Sequence, residues 1–319
     1  MCQHLSHKGN ATMLHGGALA VSSVRAGLRV GSVARMLTRA RCTSMPLDAS
    51  VPGLDIEVTR GVATLRLTNA RRRNPLTRPI LGKMREWLSA RANDWPVRNP
   101  SDDTPLAAVR VIVLESSGPI WSSGHDFKDF HGASDVAARD VLNLCSEVNM
   151  LLSAVPQVTI AAVTGGCIAG GAQLAASCDL VLAQAESASF LLPGASGGGF
   201  CHTPAVAIAA RVSARHAFEL AALAEPIDAE EAHRIGLVNR VICEAEWRQR
   251  VDAIAQCLAD RFNHNQAEGK RVFRQQATAP SLDAKYALAT DAMVDMFGSV
   301  VWQGHMGGFL DRRNRKPGV

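Results

Sequence analysis

The chain has 319 residues, 47% hydrophobic and 20% charged, values that exclude a disordered, collagen-like or coiled-coil chain and allow one large domain or two small ones with a sizeable core. The formal charge of +5 belongs to the first 47 residues, where Lys8, Arg25, Arg29, Arg35, Arg39 and Arg41 precede the first acid, Asp48; the remainder holds 28 basic and 29 acidic residues. That balance, with an aromatic content of 5%, argues against nucleic acid as a partner of the folded part.

Residues 1–47 are rich in Arg, Ser, Ala and Gly and contain no long apolar stretch. This is the composition of a mitochondrial transit peptide, expected to be cleaved between about 30 and 50, and it places the mature chain in the mitochondrial matrix. The eight cysteines form no C-x-x-C pair and no zinc-spaced cluster. They read as free thiols in a reducing compartment, with no metal expected.

Leu54–Val58 and Val62–Leu67 alternate apolar and polar residues around Arg60-Gly61, as a hairpin does. Ile80, Met84, Trp87 and Leu88 recur at helical spacing, and the prolines of 93–108 mark a loop. Val109–Leu114 is a nearly continuous apolar run, as in a strand covered on both faces. Val148–Cys178 is 31 residues without a charge, but Pro156 and four glycines interrupt it. It reads as a strand over 157–163 ended by Gly165-Gly166, then an Ala-rich helix after Gly170-Gly171, and not as a membrane span. A strand at 179–183, helices near 213–222 and 228–234, a strand over 237–242 and helices near 246–260, 266–277 and 281–297 complete the chain. The alternation predicts an α/β fold with a largely parallel sheet. The expected parts are the leader 1–47, a core over 48–245 and a helical region over 246–319.

Two segments follow apolar strands where open parallel sheets bind ligands. They are Trp121-Ser-Ser-Gly-His-Asp-Phe-Lys128 and Gly165-Gly-Cys-Ile-Ala-Gly-Gly-Ala-Gln173. Their glycines allow a close approach to the backbone. A loop running into a helix leaves N–H groups unpaired, and two such donors from separate loops can hold a developing oxyanion. Tight strand–helix packing at Gly170, and an ordinary loop capped by Asp126, are the structural alternatives.

Together and in this order, the two segments resemble the enoyl-CoA hydratase/isomerase (crotonase) superfamily. Ser123-Gly-His-Asp-Phe-Lys resembles its A-G-A-D-[IL]-K motif, and Thr164–Ala175 its N-G-x-x-x-G-G-G-C-E-L-A motif. Asn69–Leu76, Glu225–Asn239 and Gly304–Pro317 resemble three further family stretches. The resemblance implies the crotonase fold, repeated ββα units in a spiral core, with a C-terminal helical trimerisation region. A homotrimer or dimer of trimers follows, with a coenzyme A thioester as ligand or substrate and no other cofactor. It also implies an oxyanion hole from the N–H groups of His125 and Gly170. Acyl-CoA contacts are implied at Arg72, Arg73, Asp126, Phe127, Lys128 and Gly171, and at Phe309 and Arg312 through the adenine end.

The family's hydratases use two glutamates, and their positions fall here on Gln173 and near Gly194. No Asp or Glu occurs in Val148–Cys178 or in Ser187–Ala210. Gln173 can orient a water but cannot accept its proton. His125, His202 and Cys201 are the candidate replacements, each with an ordinary structural role as the alternative. Three functions therefore compete: an acyl-CoA-binding member of fatty-acid metabolism with little or no hydratase activity, an acyl-CoA enzyme using other acid/base groups, and a regulatory partner without catalysis.

Overall fold

The computed structural model describes residues 51–101 and 106–314; the leader with Cys2 and Cys42, and the last five residues, lie outside them. β1 (Leu54–Thr59) and β2 (Val62–Leu67) form the expected hairpin. Arg60 and Gly61 have φ of 49° and 84°, a turn whose twist matches the strands it joins. β3 (Pro75–Leu76) leads into α1 (Arg78–Arg91), which buries Ile80, Leu81, Met84, Trp87 and Leu88 as one apolar stripe.

Three units then repeat one plan. β4 (Val111–Ser116) is followed by β5 (Ile120–Ser122), β6 (Gly124–His125) and α2 (Asp135–Ala154). β7 (Val158–Val163) is followed by β8 (Gly166–Ile168) and α3 (Gly170–Ser177). β9 (Leu180–Gln184) is followed by β10 (Ser189–Leu191), α4 (His202–Ala209) and α5 (Ala214–Leu223). β11 (Ile227–Asp228), α6 (Ala229–Arg234) and β12 (Arg240–Ile242) close the sheets. The long sheet has the order β1-β2-β4-β7-β9-β12, the shorter one β11-β10-β8-β5, and β3 pairs with β6. Each unit thus places its first strand in the long sheet and its second in the short one. All pairs are parallel except β1/β2 and β10/β11.

The apolar runs are continuous because the long sheet is covered on both faces. Ile112, Leu114, Ala161, Val163, Val181 and Ala183 join the main core. The alternate residues Val111, Val113, Ile160, Ala162 and Leu182 join a second core with Val251, Ala255 and Ala259. The last three lie on α7 (Trp247–Arg261), so this helix roofs the far face of the sheet. α8 (His264–Thr278), α9 (Leu282–Phe297) and α10 (Val300–Asn314) follow.

Several boundaries differ from the sequence reading. Val148–Ala154 is the end of α2 and not part of a sheet. Gly166 does not end β7 but opens β8, whose pairing with β5 and β10 supplies what three residues alone cannot. The strand expected over 237–242 is regular only from Arg240. α2, α4 and α10 are additional helices. Among the described residues, no helix is long and apolar enough to cross a membrane.

Candidate functional site

The two glycine segments meet. The first is held from the Arg73-Asn74 side. Asn74 is buried and in the left-handed region, φ 51°. Its Nδ2 donates to Ser117 O and Ile120 O, both at 2.8 Å, and its own carbonyl accepts from Ser122 Oγ at 2.8 Å. Ser123 N–H donates to Arg73 O at 2.9 Å, and buried Trp121 donates from Nε1 to Ala162 O at 2.9 Å. β6 is therefore fixed before His125 is reached, and Asn74 is a supporting residue that the sequence reading quoted without a role.

The second segment turns at Ala169, the residue before α3, with φ 50° and ψ −114°. A non-glycine residue there costs roughly 1–3 kcal/mol and persists because its surroundings fix it. Here Ala169 N–H is held by Leu191 O at 2.9 Å, and Ala169 O accepts Gln173 N–H at 3.0 Å. Gly170 is then the first helical residue, one of those whose N–H has no intrahelical partner.

The approach of the segments requires glycine. A Cβ on Gly124, φ 80°, would lie 2.8 Å from Gly170 N; one on Gly171 would lie 2.8 Å from Ser122 Cβ and O. A Cβ on Gly170 would stand 3.2 Å from His125 Nδ1, so the imidazole packs on this glycine. Phe130 meets the same ring edge-on, with centroids 5.6 Å apart. Two polar atoms near this junction are buried without a hydrogen-bond partner, His125 Nε2 and Gln173 Oε1. Burial lowers the His125 pKa, and the Asp129 carboxylate opposes that shift. The ring is thus biased toward its neutral form. Asp129 itself accepts from Arg78 N–H at 3.3 Å. The sequence reading passed over this acid, since only the fold brings the start of α1 onto the Phe127–Asp129 turn.

Asp126 caps that 3₁₀ turn by accepting from Lys128 N–H at 3.2 Å, and it pairs with Arg72 at 2.7 Å. Desolvation raises its carboxyl, but the Lys128 N–H and the Arg72 guanidinium outweigh that and hold it below its ordinary value. Arg71, Arg72, Arg73, Phe127 and Lys128 are exposed on adjoining turns. Phe309 and Arg312 are exposed on α10.

The Gly194 segment is a 3₁₀ turn, Pro193–Gly197, and is tighter than its glycines suggest. Gly194 N–H donates to Cys201 Sγ at 3.3 Å, and Gly194 O accepts Gly199 N–H at 2.9 Å. A Cβ on Gly194 would lie 2.7 Å from the backbone of Phe200 and of Cys201. Burial pushes the Cys201 thiol up, away from a thiolate role. His202 is exposed, its Nδ1 3.0 Å from Phe200 O. Both candidate replacements from this loop are thus engaged locally, and His125 is the one that stands at the junction.

The far end of α3 is also anchored. Arg211 Nε donates to Ala176 O at 2.8 Å and its Nη2 to Cys178 O at 3.2 Å, a cation at a helix C-terminus. Asp179 next accepts from Thr159 N–H at 2.8 Å and pairs with Lys270 at 2.7 Å and with Arg274. The helix that carries Gly170 and Gln173 is therefore fixed at both ends.

Comparisons with known proteins agree with this architecture. A family model described as enoyl-CoA hydratase/isomerase matches residues 58–316. The enoyl-CoA hydratase domain-containing protein 3, mitochondrial, of Rattus norvegicus is 36% identical over 257 residues, 79% of this chain and 80% of its own length. The crystal structure of the human protein of that name is similar with a TM-score of 0.72 at 32% identity, covering 84% of this chain and 100% of that one. That of an enoyl-CoA hydratase/isomerase family protein from Silicibacter pomeroyi is similar with a TM-score of 0.69 at 34% identity, covering 76% and 98%. With its repeated ββα units, its paired glycine turns and these matches, the chain belongs to the enoyl-CoA hydratase/isomerase (crotonase) family and has its fold.

Proposed function

We propose that the protein binds acyl-CoA thioesters in mitochondrial lipid metabolism, with the thioester carbonyl oxygen held by the N–H groups of His125 and Gly170 and with little or no enoyl-CoA hydratase activity. The observation that carries this reading is the contact of the two turns, where a Cβ on Gly124 would stand 2.8 Å from Gly170 N. Donors fixed this way need no reorganisation when charge develops on the oxygen. The exposed cations Arg72, Arg73 and Lys128 suit the phosphates of coenzyme A. Asp126 holds Arg72 and caps the Lys128 turn, while Phe127 and Gly171 complete the contact surface. Phe309 and Arg312, on the outer surface of α10, take the adenine end within a homotrimer or a dimer of trimers. The mitochondrial assignment rests on the acid-free leader and on relatives named as mitochondrial. The proposed division is a core over 48–245 and a helical assembly region over 246–319.

Titration of the purified protein with acyl-CoA of increasing chain length tests the reading. Saturable heat and a thermal shift are expected, and absence of both overturns it. Gly124→Ala gives a second, independent check. A left-handed non-glycine residue costs roughly 1–2 kcal/mol, and the new methyl must also displace Gly170. We expect a lower unfolding midpoint and at least ten-fold weaker acyl-CoA binding by calorimetry; unchanged affinity would remove Gly170 N–H from the site.

A further inference from the structure

We propose that the His125 imidazole is a general base for thioester hydrolysis at this site, acting on a water oriented by Gln173. The proposal rests on the acyl-CoA reading and adds a reaction to it. Three placements in the structure converge. The imidazole packs on Gly170, where a Cβ would stand 3.2 Å from Nδ1, so the ring adjoins the turn that binds the thioester oxygen. Its Nε2 is buried and unpartnered. Gln173, only 4% exposed, stands on the same helix face as Gly170, three residues on, and its Oε1 is also unpartnered. Buried polar atoms in native proteins are nearly always paired. One acceptor on α3 and one imidazole nitrogen at the turn suit a water with a hydrogen to give to each.

The step balances without a further reactant. Water oxygen attacks the thioester carbonyl carbon as its proton passes to Nε2. The carbonyl oxygen becomes an oxyanion on the two backbone N–H groups. Collapse breaks the C–S bond, and the imidazolium returns the proton to the leaving thiolate. The products are the carboxylic acid, which releases its proton to solvent to become the carboxylate, and coenzyme A thiol. Asp129 is a positioning residue here. Of the groups packed on the ring, Gly170 and Phe130 carry no charge. Asp129 is the charge that acts on it, and it favours the imidazolium that must form. Gln173 serves by orientation alone, a task for which an amide suffices and a carboxylate is not needed.

The experiment follows thiol release from a saturating acyl-CoA by the purified full chain, beside calorimetric binding of the same ligand. The expected result is slow, catalytic release whose rate rises with pH and levels off at a midpoint below the ordinary histidine value of ~6.5. His125→Asn should lower that rate by roughly 10²–10⁴-fold while affinity changes only a few-fold, because the thioester donor at 125 is the backbone N–H. Asp129→Asn should slow release and move the midpoint to lower pH, which a merely structural role would not do. Binding with no thiol release by the wild-type chain overturns the hydrolysis and leaves the binding reading standing; absence of binding overturns both. Release unaffected by His125→Asn assigns the base elsewhere and overturns this proposal.

Discussion

Crotonyl-CoA mixed with the wild-type protein should be hydrated at a rate at least 10²–10⁴-fold below that of an active family hydratase, the contribution of one positioned acid or base. Adding water across the conjugated bond needs one group to take a proton from water and another to protonate the α-carbon. The proposed backbone pair at His125 and Gly170 would stabilise the enolate oxygen but would supply neither proton. On the proposed alignment, Gln173 and Gly194 stand where the family places its two glutamates. Two groups that act on one water do not contribute additively, so Gln173→Glu alone should recover little. The ordinary rescue, Gln173→Glu with Gly194→Glu, meets a wall. A Cβ at 194 would stand 2.7 Å from the backbone of Phe200 and of Cys201, and the Gly194 N–H is committed to Cys201 Sγ. The double variant should therefore lose stability without gaining hydratase activity. A wild-type rate comparable with active hydratases, measured by loss of enoyl absorbance, would overturn the assignment. A double variant that gains a hundred-fold would overturn the account of the Gly194 turn.

Hydrolysis and hydration make different demands on the same pocket. Hydrolysis attacks the carbonyl carbon, which the proposed reading places close to the N–H pair and to His125. Hydration attacks two carbons further along the acyl chain and needs acids beyond the turn. A site whose two glycine turns meet, with an amide at 173 and a buried imidazole nitrogen left unpaired, favours the first on the proposed reading. Measuring thiol release and enoyl loss on one sample separates the two.

The elements most legible in the sequence were those whose own side chains set their period. α1 showed its stripe at Ile80, Met84, Trp87 and Leu88, while β4 and β7 showed the apolar continuity of a sheet covered on both faces. β5, β6, β8 and β10 were illegible because two or three residues carry no period; neighbouring strands define them. α2 was overlooked because its last charge is Glu147, and the uncharged stretch Val148–Ala154 reads on into β7. Its start was nonetheless signalled by Ser134, whose side chain accepts Ala137 N–H. α10 holds Gly304, Gly307 and Gly308, poor helix formers that obscure a local reading. At the site, the glycine motifs marked the two turns. Asp129 beside His125, Asn74 as a clamp and the closed surroundings of Gly194 depend on segments distant in sequence, and only the fold brings them together.

Asp179→Ala should destabilise the protein by about 3–5 kcal/mol, the usual cost of removing one partner of a buried ion pair. Asp179 lies between the end of α3 and the start of β9. Its carboxylate accepts from Thr159 N–H at 2.8 Å and Oγ1 at 3.0 Å and faces Lys270 and Arg274 from α8. Lys270 is itself largely buried and also donates to Gln157 O at 2.7 Å. Removing the carboxylate leaves two cations near the starts of β7 and β9 with no acid between them. Burial alone would raise the Asp179 pKa, but Lys270 and Arg274 outweigh it and hold the group below its ordinary value. The sign of the pH dependence follows. Asp179 stabilises the folded state fully above the unfolded aspartate value of ~3.9, and that contribution is lost as pH falls through the lower folded value. The gap between wild type and Asp179→Ala in urea unfolding should thus be widest near neutrality and narrow as pH falls below about 4. The consequence reaches the site, because this cluster anchors the end of the helix whose other end presents Gly170. Acyl-CoA affinity should weaken in Asp179→Ala under conditions where the chain is still folded. Unchanged stability at neutral pH would mean that α8 docks on the sheet through its apolar contacts alone.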